Sequence, residues 1–141
     1  MTEEQAEIEK INPQFYKALE SCDIKAMEQL WLHENWVRCV HPGSELIVGW
    51  NDIRLSWVEI FGNTRGMRLS ISNLFIKIMG EVAWVECTEN IATFFDQGFT
   101  SGQAQATNLY LKNSEQWLMI HHHASYLPTD LPDDWSDDIL Q

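Results

Sequence analysis

Three consecutive histidines, His121, His122 and His123, are the residues of this sequence with the most evident capacity for chemistry. An imidazole can exchange a proton near neutral pH or coordinate a metal ion. Successive side chains of a β-strand point to opposite faces, so His121 and His123 would share one face of a strand and His122 the other. The run therefore predicts two environments rather than one cluster.

The spacing of His121 and His123 also fits two metal ligands on one strand. A third ligand would be needed, and His41 or Glu86 is the nearest candidate in the sequence. Hydrogen-bonded histidines at a subunit interface are the favoured alternative, so we predict no metal site.

The first element that would position these groups is an N-terminal helix. Apolar residues recur at steps of three and four through residues 8–22, and Thr2 with Gln5 matches a capping box. The apolar stripe keeps its phase through Pro13, which predicts one kinked helix rather than two.

Two further helices and a set of strands follow. Asp23 and Asn51 are predicted to cap the second and third helices. Short strand candidates lie at 35–41 and 45–50. Long strand-like segments then occupy 67–79, 81–95, 101–113 and 116–126. This order predicts an α+β domain, with three N-terminal helices packed on a strongly curved antiparallel sheet.

Composition limits the classes of function. The net charge of −12 disfavours nucleic acid and anionic membranes as partners. No apolar run reaches the roughly 18 residues of a membrane span, and the acidic start is unlike a signal peptide. We therefore expect a cytoplasmic protein with one domain, 1–126, and an acidic tail, 127–141. The three cysteines are expected to be reduced.

Four blocks give the chain a family resemblance: FYKALESCDIKAMEQLW, RCVHPGSELIVGWNDIRLSW, VAWVECTE and ATNLYLKNSEQWLMIHHHAS. Over about residues 4–126 the chain resembles the SnoaL-like family of the nuclear transport factor 2-like superfamily. It is also similar to the association domain of calcium/calmodulin-dependent protein kinase II. The resemblance implies a cone-shaped, cystatin-like α+β barrel that encloses a pocket, with an outer sheet face that commonly forms dimers. Members differ widely in activity, so the fold does not identify a reaction.

The resemblance to the association domain also places particular residues in the pocket. Glu89, Asn108 and Ala124 match positions that hold pocket arginines there, and His122 matches an aromatic residue. Alternation along the strands agrees with this assignment. Loss of the arginines disfavours an anionic ligand. Glu89 and His122 could form a general acid/base pair, or a buried hydrogen-bonded pair that only joins strands.

Other residues complete the predicted site. Asn108 and Tyr110 are expected to orient the ligand, and His41 either reaches the pocket mouth or pins the turn before Pro42. Further candidates for the lining are Trp36, Trp57 and Cys87. A place in the core is the favoured alternative for each tryptophan, and burial as a reduced thiol is the alternative for the cysteine. The residues expected on the outer face, toward a partner subunit, are Trp117, Met119, His121 and His123.

Two functions fit these predictions. The first is a pocket protein for a neutral, largely apolar small molecule, with acid/base chemistry of the isomerase, cyclase or dehydratase type. The absence of GxGxxG, P-loop, GxSxG and CxxC motifs sets aside nucleotide-cofactor and serine-hydrolase mechanisms, and we predict no cofactor. The alternative is a non-catalytic oligomerisation module, similar to the kinase association domain.

Overall fold

A computed structural model describes residues 2–128, and its first element is helix α1 (Glu3–Glu20). Thr2 Oγ1 accepts a hydrogen bond from the Gln5 amide, and Gln5 Oε1 accepts one from the Thr2 amide. The predicted capping box is therefore confirmed. Pro13 lies inside the helix, which continues without interruption to Glu20.

Helices α2 (Ile24–Leu30) and α3 (Trp50–Gly62) follow. Asp23 caps α2 by accepting a hydrogen bond from the Ala26 amide, as predicted. The predicted cap at Asn51 is wrong, because α3 begins at Trp50 and its N-cap is Gly49, two residues before the predicted cap. Gly49 has φ of 92°, a backbone conformation that favours glycine.

Six strands form one sheet in the order β2-β1-β6-β5-β4-β3. Their bounds are β1 (Arg38–Val40), β2 (Ile47–Val48), β3 (Gly66–Met79), β4 (Val82–Phe95), β5 (Gly98–Asn113) and β6 (Gln116–Tyr126). Strands β3 to β6 form an antiparallel meander, whereas β1 pairs with β6 in parallel. The α+β class is confirmed, but the sheet is mixed rather than wholly antiparallel, and its edge strands β2 and β3 leave it open.

Two β-bulges bend this sheet. In β3, Asn73 and Leu74 lie opposite the single residue Cys87. In β6, Met119 pairs with Tyr110 and His121 pairs with Leu109 of β5, which leaves Ile120 as the extra residue. A bulge increases the local twist and reverses the alternation of side chains beyond it.

The bulge in β6 changes which side chains face the helices. Trp117 and Met119 lie on the inner face and are 2% and 0% exposed. Trp117 Nε1 donates a hydrogen bond to Glu7 Oε2 of α1 at 2.8 Å. The prediction that Trp117 and Met119 share the outer face with His121 and His123 is therefore wrong.

The predicted acidic tail, 127–141, lies almost entirely outside the described residues, which end at Pro128. Within 2–128, the helices are too short or too polar for any of them to cross a membrane.

Candidate functional site

A cavity of about 530 Å³ lies between the inner face of the sheet and helices α1 and α3. Its best-buried wall consists of His41, Trp57, Glu89 and His122. Apolar residues form much of the remaining lining, among them Leu19, Ile47, Ile60, Met67, Leu69, Ile91 and Phe95. None of the described lining residues is a lysine or arginine.

His122 is the buried histidine of the triple run, at 2% exposure. Its Nδ1 lies 2.6 Å from Asn108 Oδ1, and its ring packs against Phe15 and Trp57. Burial lowers the pKa of His122 well below its ordinary value, and the nearby His41, His121 and His123 lower it further. The imidazole is therefore neutral at neutral pH.

Glu89 is the carboxyl group of the buried wall, also at 2% exposure. Tyr16 donates a hydrogen bond to its Oε2 at 2.7 Å. Burial raises the pKa of Glu89 from 4.5 to about 7, although the hydrogen bond from Tyr16 opposes this shift. A carboxyl group with this pKa can give up or accept a proton near neutral pH.

A chain of hydrogen bonds joins Glu89 to His122 behind the cavity wall. Asn108 Nδ2 donates to the Tyr16 hydroxyl at 3.1 Å, so Tyr16 and Asn108 stand between the two predicted catalytic residues. No direct hydrogen bond between Glu89 and His122 is present in the described structure. The structure brings the two residues to one wall but connects them indirectly.

Asn12 of α1 completes this network. Its Oδ1 accepts hydrogen bonds from Asn108 Nδ2 at 3.0 Å and from the Tyr110 hydroxyl at 2.8 Å. Tyr110 and Asn108 are fully buried and do not line the cavity, so they position the wall instead of contacting a ligand. Their predicted role in orienting the ligand is thus indirect.

Sequence reasoning missed Asn12 and Tyr16. They lie one turn apart on α1, on the face that also buries Ile8, Phe15 and Leu19. A polar residue within an apolar helical stripe was the available signal, because a buried amide must find a hydrogen-bond partner.

His41 lines the cavity beside Trp57, with ring centroids 4.5 Å apart. Its Nε2 lies 2.8 Å from Ser56 Oγ, which itself donates to the Ile53 carbonyl. Burial lowers the pKa of His41 to about 4. His41 therefore reaches the cavity, as one of the two alternatives predicted, and also fixes β1 to α3.

Two residues proposed for the lining lie elsewhere. Trp36 is 46% exposed and does not contact the cavity, so its predicted role is wrong. Cys87 is buried behind the wall, 3.3 Å from the Tyr16 hydroxyl, and burial raises its pKa to about 11. Trp57 does line the cavity.

His121 and His123 lie on the outer face of β6, with ring centroids 6.1 Å apart. Among the residues that the structure describes, no three His, Cys, Asp or Glu side chains are placed to hold a metal ion.

Comparison with known proteins identifies similar chains. A model of the SnoaL-like domain matches residues 8–130. The F-box protein SKIP8 of Arabidopsis thaliana is 27% identical over 120 residues, which cover 85% of this chain. The chain spans about half of that curated relative, 49% of its length.

Two solved structures are also similar. A candidate dehydratase of the NTF2-like family from Streptomyces avermitilis is 27% identical, with a TM-score of 0.81 over 86% of this chain and 94% of the other. A candidate calcium/calmodulin-dependent protein kinase type II association domain from Thiobacillus denitrificans is 26% identical, with a TM-score of 0.76 over 85% and 94%. Structures with NTF2-like and cystatin-like folds thus confirm the predicted fold class.

Proposed function

Because the chain belongs to the SnoaL-like domain family, we propose that its cavity binds a neutral, largely apolar small molecule and transfers a proton on it without a cofactor. The observation that carries this proposal is the placement of Glu89 and His122 on one wall of a mostly apolar cavity of about 530 Å³. Such a cavity is within the size range of small-molecule sites.

The charges around the cavity support a ligand without negative charge. The described lining has no lysine or arginine, and it includes the carboxyl groups of Glu59 and Glu89. An anionic ligand would have no ion-pair partner there and would be repelled by the net charge of −12.

Glu89 is the group best suited to move a proton. In its ionised form it can remove a proton from carbon. It can then return that proton to another carbon, in an isomerisation, or deliver it to a departing hydroxyl, in a dehydration. The similarity to a candidate dehydratase supports the second reaction. His122 is neutral, and its Nε2 makes no hydrogen bond within 2–128, so it can accept one from the ligand.

Binding can be tested with N-phenyl-α-naphthylamine, a neutral dye whose fluorescence rises in apolar surroundings. We expect saturable binding that Met67→Trp weakens about tenfold or more, because the larger side chain occupies part of the cavity that the dye would fill. Met79→Trp is the matched control on the same strand, at a residue 48% exposed. Equal losses in the two variants, or no saturable binding by the wild-type protein, would contradict the proposal.

Proton transfer can be tested with the neutral β-hydroxyketone formed from benzaldehyde and acetone. Its loss of water gives a conjugated enone that is followed by ultraviolet absorption. We expect Glu89→Gln to abolish acceleration by the protein. Glu86→Gln, on the outward side of β4, should not. Equal activity of Glu89→Gln and wild-type protein would remove Glu89 from the mechanism.

A second candidate function is assembly through the outer sheet face. This face carries apolar side chains that the monomer leaves partly or largely exposed, namely Phe75, Met79, Val82, Trp84, Leu109, Leu111 and Leu118. An apolar face of this kind is typical of an interface, and the similarity to an association domain agrees with it. Pairing with a second copy is compatible with ligand binding on the inner face.

The assembly function is tested by light scattering after size exclusion. Phe75→Glu should reduce the oligomer to a smaller species while binding of the dye is retained. Leu55→Glu, at an exposed position on α3, is the control. A wild-type protein that is already monomeric would argue against this function.

A further inference from the structure

The hydrogen bonds behind the cavity wall determine which ring nitrogen of His122 carries the proton. The Tyr16 hydroxyl has one hydrogen, which it donates to ionised Glu89. The Asn108 atom that lies 3.1 Å from the same hydroxyl must then be the amide nitrogen, a donor. The carbonyl oxygen of Asn108 consequently faces His122, so Nδ1 of His122 carries the hydrogen.

A contact with Asn12 also determines the orientation of the Asn108 amide. Its carbonyl oxygen already accepts a hydrogen bond from Tyr110, and it also accepts one from Asn108 Nδ2. Rotation of the Asn108 amide would bring two carbonyl oxygens together in a site that is 0% exposed. The amide therefore keeps its orientation, and the neutral ring of His122 presents the lone pair of Nε2.

The single N–H of His41 is also used in a hydrogen bond within the protein, through contacts separate from those of His122. Ser56 uses its only hydroxyl hydrogen on the Ile53 carbonyl, so His41 Nε2 must donate to Ser56 Oγ. The acceptor nitrogen of His41 is then Nδ1, whose nearest recorded partner is the Cys39 thiol at 3.9 Å. Neither imidazole of the buried wall has a hydrogen left to donate to a ligand.

The other polar groups of the buried wall do not offer a hydrogen-bond donor to a ligand. Glu89 Oε1 makes no hydrogen bond among the described residues and is an acceptor when the carboxyl group is ionised. The indole N–H of Trp57 has no partner either, but its nitrogen is fully buried and closed to the cavity. The remaining side chains that could donate line less buried parts of the cavity, namely Ser44, Asn63, Thr64, Thr93, Thr100 and Tyr126.

We propose that the buried wall selects ligands that donate a hydrogen bond, in the form of a neutral phenol or alcohol, over otherwise equal ligands that only accept one. His122 Nε2 is the specificity-determining acceptor. Tyr16, Asn108 and Asn12 are positioning residues that act through it. This inference rests on the proposed function, since it names the class of ligand for the same cavity.

The test compares α-naphthol with α-methoxynaphthalene, which share a ring system but differ in their ability to donate. Titrations at about pH 8 keep Glu89, with its pKa of about 7, ionised. We expect the wild-type protein to bind α-naphthol about fivefold more tightly than α-methoxynaphthalene, because this ratio corresponds to the free energy of one hydrogen bond. His122→Phe should reduce the preference, with Glu89 Oε1 left as the remaining acceptor, and the exposed His123→Phe should retain it in full.

The tautomer of His122 provides a readout that needs no variant. Two-bond proton–nitrogen NMR correlations, assigned through the ring carbons, should show the hydrogen on Nδ1. A hydrogen on Nε2 would overturn the inference. Equal binding of both probes to the wild-type protein would also overturn it, while leaving the proposed apolar site intact. If neither probe binds, the proposed function itself fails, and the inference falls with it.

Discussion

The dependence of folding stability on pH tests the burial of Glu89 in a direct way. The pKa of Glu89 rises from 4.5 to about 7 on folding, so the folded protein holds this proton more tightly than the unfolded chain. The corresponding stabilisation is fully present below pH 4.5 and is lost as the pH rises through about 7. Since one pKa unit corresponds to about 1.36 kcal/mol, the loss is about 3 kcal/mol.

Buried histidines change the folding stability with pH in the opposite direction, so their contribution must be separated from that of Glu89. The pKa of His41 falls from 6.5 to about 4 on folding, so its contribution to stability is lost as the pH falls through that window. His122 behaves in the same way. A comparison of the wild-type protein with Glu89→Gln at each pH removes these shared contributions.

The assay is urea unfolding, followed by tryptophan fluorescence between about pH 5 and 8.5. We expect Glu89→Gln to gain about 3 kcal/mol relative to the wild-type protein across this range, because glutamine cannot ionise. Glu86→Gln, whose parent residue is half-buried on the outer face of the same strand, should show no such gain. If the difference between the wild-type protein and Glu89→Gln does not change with pH, the carboxyl group is not desolvated, and the assignment of Glu89 as a proton-transferring group fails.

Three further substitutions test the elements that hold the site, each by urea unfolding. Trp117→Ala should cost about 3–5 kcal/mol, because Trp117 is buried against Glu7 of α1; a small loss would contradict its place on the inner face. Gly49→Ala should cost about 1–3 kcal/mol because of the φ of 92°, whereas Gly62→Ala, with open space around it, should be nearly neutral. Asp23→Ala should cost about 1 kcal/mol through loss of the cap of α2, and an unchanged midpoint would show that this cap is dispensable.

Local sequence patterns predicted the secondary structure well because their physical causes are local. The capping box at Thr2 depends only on residues within one helical turn. The strand predicted at 116–126 has those bounds in the structure, since its alternation and flanking turn are encoded nearby. The parallel pairing of β1 with β6 joins residues about 80 positions apart, and no local pattern could specify it.

The assignment of sheet faces failed at one residue. Strict alternation placed Trp117 and Met119 with His123, but Ile120 forms a bulge, and the two halves of β6 are out of phase. Ile120 is a β-branched residue typical of a regular strand, so nothing in its type indicates the bulge. His122 was assigned correctly to the inner face because the resemblance to the association domain set the face at that residue, and the error fell on the residues before the bulge.

The polar part of the site was predicted only where it lies on strands. Glu89 and His122 were identified, whereas Asn12 and Tyr16 were not, because the helical stripe was traced through apolar residues alone. Their importance depends on what α1 packs against. Only the docked helix shows that Asn12 meets Asn108 and Tyr110.

The network between α1 and the sheet also has a consequence for folding. The hydrogen bond from Tyr16 to Glu89 joins positions 73 apart, and that from Asn108 to Asn12 joins positions 96 apart. Contacts between such distant positions close long loops, so their formation costs chain entropy and slows folding. While α1 is undocked, Glu89 is hydrated and holds its proton only weakly. Uptake of a proton by this carboxyl group should therefore accompany the docking of the N-terminal helix over the sheet.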